Sequence, residues 1–285
     1  LVEPIARAVE TEPDDRVSPA YANIALMKAW LDAWAGREEY AAGFANDAAA
    51  HFDEHGTFIE YNSPTYYGID LYALALWRNS IEPLTTLGPR IEAALWRDIA
   101  RFYHAGMRNM CGPYDRCYGM DMTAHATPLG LWIWSVVGSG LTPFPDPTAR
   151  FRHPHDICFG PCISELDAVI PDDVMSHLLA FQGERMIEQT VTTHPLRVVT
   201  AWLSEDTMLG GWSGPTSGIG LFQHAHATMH RCLDDGSIGW LRLRPEITAN
   251  VVAGRGELRI TSSEPVAFDS SPSDLQNDPG IAIIG

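Results

Sequence analysis

The sequence predicts an α+β protein, with helical hairpins over residues 1–150 and antiparallel strands over residues 151–285. Three observations predict it. Apolar residues recur at helical spacing from about Ser18 to Leu141. Residues 138–162 then gather Gly138, Gly140, Pro143, Pro145, Pro147, Pro154 and Pro161, a density of breakers that marks a linker or long loop. Beyond it, short β-rich runs alternate with turn residues.

Residues 1–17 are polar and Pro-containing and read as a loose lead-in. Ser18-Pro19 opens a first helix carrying Ile24, Met27, Trp30, Leu31 and Trp34. A second helix covers Glu38 to His55. Ser63 suits an N-cap and Pro64 the first helical position of a third. Its run from Ile69 to Trp77 is almost wholly apolar, as in a helix buried on every side. The fourth is expected from about Pro89 to Met110, with Ile91, Leu95, Ile99, Phe102 and Tyr103 on one face. The fifth is expected from Asp121 or Thr123 to Val137 and is again apolar nearly all round. Amphipathic helices thus alternate with all-apolar ones, the pattern of stacked hairpins with a buried inner layer. A short helix is expected near Asp172 to Leu179. Strands are expected at Arg185–Thr192, Leu196–Leu203, Thr207–Leu209, Ala225–Arg231, Gly239–Arg244, Thr248–Val252 and Glu257–Thr261. Asp234-Asp235-Gly236-Ser237 signals a hairpin. The last twenty residues, rich in Ser, Pro and Asp, read as an extended strap.

Composition narrows the partners. A formal charge of −17 argues against nucleic acid, because a phosphate backbone demands clustered Lys and Arg. No apolar run approaches the roughly 18–20 residues of a membrane span. The chain begins at Leu1 rather than Met, as a mature form or a fragment would, so a missing N-terminal portion or a homo-oligomer stays open. Five cysteines do not fix the compartment, although an extracellular setting is favoured; Cys111 and Cys117 flank a turn and could be bridged.

Two polar clusters stand before the two apolar helices. The run Glu60-Tyr61-Asn62-Ser63-Pro64-Thr65-Tyr66-Tyr67-Gly68-Ile69-Asp70 packs carboxylates, a carboxamide and three phenols at a helix mouth. Polar groups crowded there are costly unless satisfied or used. Capping by Asn62 and Ser63 with core tyrosines would account for them equally well. In the run from Cys111 to Asp121, Gly112-Pro113 forces a turn, and Tyr114, Asp115, Arg116 and Tyr118 follow. An Asp115–Arg116 loop pair is the plain alternative. If both helices point the same way, the clusters lie side by side.

Histidines form lesser candidates. His153, His155, Cys158 and Cys162 are ligand types that suit zinc, but their spacing in a Pro-rich loop leads us to expect no metal or other cofactor. His224, His226 and His230 alternate and share one strand face, where ordinary packing is the expectation. His51, Asp53, Glu54 and His55 read as a solvated helix end, and no register fixes His104 or His125 toward a cleft.

An Asn and Tyr cluster before an inner helix, followed by a β half, resembles the (α/α)-toroid polysaccharide lyases of the heparinase and alginate lyase type. The NSPTYYG and GPYDRCYGMDM runs also look like segments of uncharacterised fungal and bacterial proteins. The resemblance spans residues 18–262 and implies a toroid-like helical half, a β-sandwich half, and β-elimination of a uronate-containing polysaccharide or oligosaccharide. Such a lyase needs a neutraliser for the substrate carboxylate, a base and an acid. The resemblance assigns Asn62 as neutraliser and Tyr66, Tyr67 or Tyr118 as base or acid, with Tyr66 ahead of Tyr67 because it shares a helix face with Asp70. Glu60, Asp70, Tyr114, Asp115 and Arg116 would contact substrate. Arg116 would also assist a tyrosine whose ordinary pKa is about 10. Two rivals remain. One is a glycoside hydrolase using Glu60 with Asp70 or Asp115, which needs carboxylates about 5–5.5 Å or 6.5–9.5 Å apart. The other is a non-catalytic glycan-binding or scaffold protein.

Overall fold

The computed structural model describes residues 21–215, 224–244, 247–271 and 282–284, together with 3, 7, 8, 17 and 18. Most of the expected lead-in, the Pro19 start of the first helix and most of the expected C-terminal strap lie outside the described residues. Within them the protein is a mixed α+β structure, helical first and antiparallel β after.

Helix α1 (Ala22–Trp34) packs on α2 (Glu38–His55), and α3 (Pro64–Trp77) touches α1, α4 (Leu84–Phe102) and α5 (Pro128–Val137). The central place of α3 follows from its sequence. Only Tyr66, Ile69, Tyr72 and Leu76 escape full burial, because no polar stripe gives it a face for water. Ser63 caps it as expected, its Oγ accepting from the Tyr66 amide at 3.3 Å.

Three helix boundaries depart from expectation. Helix α4 runs from Leu84 rather than Pro89 and stops at Phe102 rather than Met110. The chain turns back at Tyr103, and β1 (Tyr103–His104) pairs with β2 (Asn109–Met110). His104 Nδ1 accepts from the Met107 amide at 3.1 Å, and Arg108 adopts a left-handed φ of 53°. Apolar spacing cannot register such a turn, since Tyr103 and Met110 stay buried in it. Helix α5 begins at Pro128, not at Asp121 or Thr123. Thr127 Oγ1 is its cap, accepting from Gly130 N at 3.0 Å, while Asp121 closes its own turn onto Thr123.

A 3-10 helix (Pro154–Cys158), α6 (Phe159–Leu166) and α7 (Asp172–Leu179) follow. The expected strands then form as β3 (Arg185–Thr193), β4 (Leu196–Leu203), β5 (Thr207–Ser213), β6 (Ala227–Cys232), β7 (Ile238–Leu243), β8 (Asn250–Gly254) and β9 (Glu257–Thr261), with β10 (Phe268–Ser271) and β11 (Ala282–Ile284) added. The hairpin at Asp234–Ser237 closes with Leu233 N donating to Ser237 O at 2.8 Å. Six strands form an antiparallel sheet in the order β10-β7-β6-β5-β4-β3, and three form a second sheet, β11-β9-β8, in which β11 pairs parallel with β9.

Period-2 burial divides the six-stranded sheet's side chains between two cores. Val199, Ala201, Leu203 and Met208 join the apolar cluster that also holds α1 to α5. Leu209, Met229, Leu241 and Leu243 instead pack with Val251, Ala253, Leu258 and Ile260 of the second sheet. Backbone approaches are close where sheet and helices meet the loops. A β-carbon at Gly210 would fall closer than 3.0 Å to the backbone of Gly112 and Pro113, so β5 lies directly on the second polar loop. The five cysteines are free thiols, so the Cys111–Cys117 bridge that the sequence left open is not formed. Among the described residues no helix is long and apolar enough to cross a membrane.

Candidate functional site

The two polar loops do meet, and Asn62 joins them. It is fully buried with a left-handed φ of 52°, a conformation Asn tolerates better than most residues. Its Nδ2 donates to Cys111 O at 2.6 Å and to Pro113 O at 2.9 Å. Asp115 N donates to Tyr61 O at 3.0 Å alongside. Both amide hydrogens of Asn62 are therefore committed to the opposite loop, which gives the residue a clamping role where a neutraliser was expected. Tyr67 is also fully buried. Its hydroxyl donates to Asp98 Oδ2 at 2.9 Å and lies 2.8 Å from Thr57 Oγ1, in the helical core rather than at a surface. Tyr114 is buried too, donating to Met110 O at 2.5 Å. The core-tyrosine account holds for both.

Glu60, Asp70, Asp115 and Arg116 form a buried charge cluster. Arg116 lies 2.7 Å from Asp115 and 3.7 Å from Glu60, and its guanidinium sits over the Tyr66 ring at 6.0 Å. Burial raises the pKa of Glu60 against the pull of Arg116. Burial, with Glu60 nearby, raises the pKa of Asp70 well above its ordinary value. Each of these carboxyls is at most 4% exposed, which leaves them little access to a polymer. His51, Asp53, Glu54 and His55 end α2 as expected, with Asp53 paired to Arg90 on the surface.

His224 extends the cluster from the β half, with Nδ1 3.1 Å from Asp115 Oδ1. Burial pushes Asp115 up to about 7 against the pull of Arg116. Burial first, then Arg116, lowers His224 to about 4. The pair therefore shares one proton, where the unfolded chain holds one on the histidine. Between about pH 4 and 6.5 both states bind the same number of protons, and the pair's contribution to stability is flat. Removing one partner uncovers the other. In Asp115→Asn the unfolded state binds more protons through His224, so stability should rise with pH across that window. In His224→Gln the folded state binds more protons through Asp115, so stability should fall from about pH 4 to 7. Urea midpoints at stepped pH check both signs, and parallel slopes in the two variants would contradict the pairing.

An open cleft of about 400 Å³ lies next to this cluster. Tyr118 lines it, with Asp121, His125, Arg152, His153, Trp240 and Arg242. Tyr118 joins cleft to cluster, its ring 6.4 Å from that of half-buried Tyr66 and 5.7 Å from that of His153. Arg242 is braced by Asp269 at 3.2 Å, and its Nη1 approaches Cys117 Sγ at 3.1 Å. His125 stacks on His153 at 4.3 Å. Burial, with His153 and Arg152 nearby, lowers its pKa to about 4. His104 lies elsewhere, its Nε2 2.9 Å from Ser204 O. His230 is enclosed against Met120 O at 2.7 Å.

Of the residues expected to act chemically, only Tyr118 lines the cleft; Tyr66 stands behind it, and Asn62 and Tyr67 support the frame. Arg152, Trp240 and Arg242 were not anticipated. The β7 alternation did carry a signal, because Trp240 and Arg242 are two apart and so share a face, opposite buried Leu241 and Leu243.

Set beside known proteins, this α+β architecture with a Tyr-, His- and Arg-lined cleft falls in a family without an assigned activity. The chain belongs to the family described as "Domain of unknown function (DUF8769)", whose model matches residues 5–168. That match takes in both polar loops and the His153 segment, while Trp240 and Arg242 lie beyond it. No curated protein and no solved structure matched the chain.

Proposed function

We propose that this protein is a glycan-processing enzyme that cleaves a uronate-containing polysaccharide by β-elimination. The cleft carries the reading, because it brings together a phenol, two imidazoles, two guanidiniums and an indole within about 400 Å³. Arg152 and Arg242 supply cationic recognition for a carboxylate. Trp240 offers an apolar face for a sugar ring. Tyr118 and His125 are proton carriers placed on the same cleft. In the reaction a base removes the proton next to the carboxylate, the electron pair forms a carbon–carbon double bond, and the glycosidic C–O bond breaks. The departing oxygen then takes a proton from an acid. Asn62 acts by holding the two loops in register, and Arg116 by backing Tyr66 behind Tyr118.

The finer architecture belongs to the same proposal. The contacts of α3 with α1, α4 and α5 support a toroid-like helical part. The apolar cluster between the six-stranded and three-stranded sheets supports a sandwich.

A panel of uronate polysaccharides tests the function. A new ultraviolet absorbance from an unsaturated uronate should appear together with reducing ends, and carboxyl-reduced substrate should give neither. Reducing ends without the absorbance would mean hydrolysis, and binding without either would mean a non-catalytic glycan-binding protein; each rejects the lyase reading.

A further inference from the structure

We propose that His153, His155 and Asp156 form a binding site for a divalent transition-metal ion of the zinc type on the wall of the cleft. Their ligand atoms all lie within 4.8 Å of one another. His155 Nε2 is 3.4 Å from Asp156 Oδ1, and His153 Nδ1 is 3.9 Å from Asp156 Oδ2. Two imidazoles and one carboxylate are a donor set for zinc with a fourth position left for water or substrate, and also for the iron-type facial triad. Harder cations such as magnesium prefer an all-oxygen shell, which these residues do not offer.

A second observation points to a cation independently. Asp156 is only 5% exposed, and its Oδ2 has no hydrogen-bond partner among the described residues. A buried carboxylate oxygen left without a hydrogen bond is costly, and a bound cation would offset that cost. The surroundings suit a site that closes on its ion. Bonds of about 2.0–2.2 Å require the three donors to draw together. His155, with 70% of its side chain exposed, has the freedom to swing inward. His153 is held in place by stacking on buried His125.

Cys158 and Cys162, the other ligand types in this stretch, are exposed and fall outside the group. The third ligand is Asp156, the residue directly after His155, and a search for the His and Cys pattern passes over it. Because His153 also lines the cleft, an ion here would place an electrophile within reach of whatever the cleft binds. The site does not depend on the lyase reading, since binding is measured without substrate.

The experiment titrates metal-free protein with zinc ions by calorimetry and by competition with a chromophoric chelator, and records the visible spectrum with cobalt. One ion per chain should bind. His155→Ala and Asp156→Asn should each weaken binding by on the order of 100-fold or more, since outer-shell partners alone are worth 10–100-fold. Cys158→Ser with Cys162→Ser should leave affinity and cobalt spectrum unchanged. Exposed His155 and isosteric Asp156→Asn should preserve the fold, which circular dichroism verifies. Absence of stoichiometric binding, undiminished affinity in His155→Ala, or loss of binding in the cysteine variant would each overturn the assignment.

Discussion

Tyr118→Phe should lower turnover of a uronate polysaccharide by 10²–10⁴-fold, the range for losing a general acid or base. That corresponds to about 2.7–5.5 kcal/mol of transition-state stabilisation. The melting temperature should stay near that of the wild type, because the change removes one oxygen from a half-buried side chain whose ring contacts with Tyr66 and His153 survive. Tyr66→Phe is the informative comparison. Tyr66 faces Arg116, and burial raises its pKa, with Tyr118 and Glu60 adding to the rise. Its phenolate is therefore harder to form, and its loss should cost less than that of Tyr118. Steady-state rates on the same substrate, with thermal melts alongside, decide the matter. Full activity in Tyr118→Phe would remove it from the chemistry, and a larger defect in Tyr66→Phe would reverse the two roles.

Gly68→Ala should be among the most damaging single changes in the protein. An added β-carbon would lie closer than 3.0 Å to Leu129 N and to the Pro128 carbonyl carbon, where α3 crosses α5. Both are backbone atoms, so no rotamer can relieve the overlap. Separating the helices would also strain the bond from Trp132 Nε1 to Gly68 O, now 2.9 Å. Overpacking commonly costs 1–3 kcal/mol, and with backbone on both sides we expect at least about 3 kcal/mol. Gly43→Ala is the control. Gly43 is exposed in α2, and among the described residues nothing lies within 4 Å of its added β-carbon. That variant should gain about 0.5–1 kcal/mol from helix propensity alone. Denaturant midpoints measure both, and a Gly68→Ala midpoint near wild type would contradict the close crossing of α3 and α5.

These predictions rest on different levels of the structure, and so does what was legible beforehand. Local patterns were readable wherever a short stretch determines its own state. The cap and first turn at Ser63-Pro64, the all-apolar character of α3, the strand from Leu196 to Leu203 and the hairpin at Asp234–Ser237 each follow from neighbouring residues. Boundaries were lost where a tight turn competed with continuation of the helix. The chain leaves α4 at Tyr103 because a buried hairpin forms there, and apolar spacing reads the same in either state.

The sequence by itself therefore determined the fold class, most strands and the apolar character of the inner helices. Tertiary structure alone decided which polar groups are used to hold the frame and which face solvent. Asn62 spends its amide on carbonyls 49 and 51 residues away, and Tyr67 spends its hydroxyl on an aspartate 31 residues away. Trp240 and Arg242 reach the cleft only because β7 lies in the sheet that meets the Cys117–Asp121 loop. The physical reason is that propensity and periodicity are short-range, whereas the satisfaction of a buried polar group depends on whichever partner the fold brings within about 3 Å.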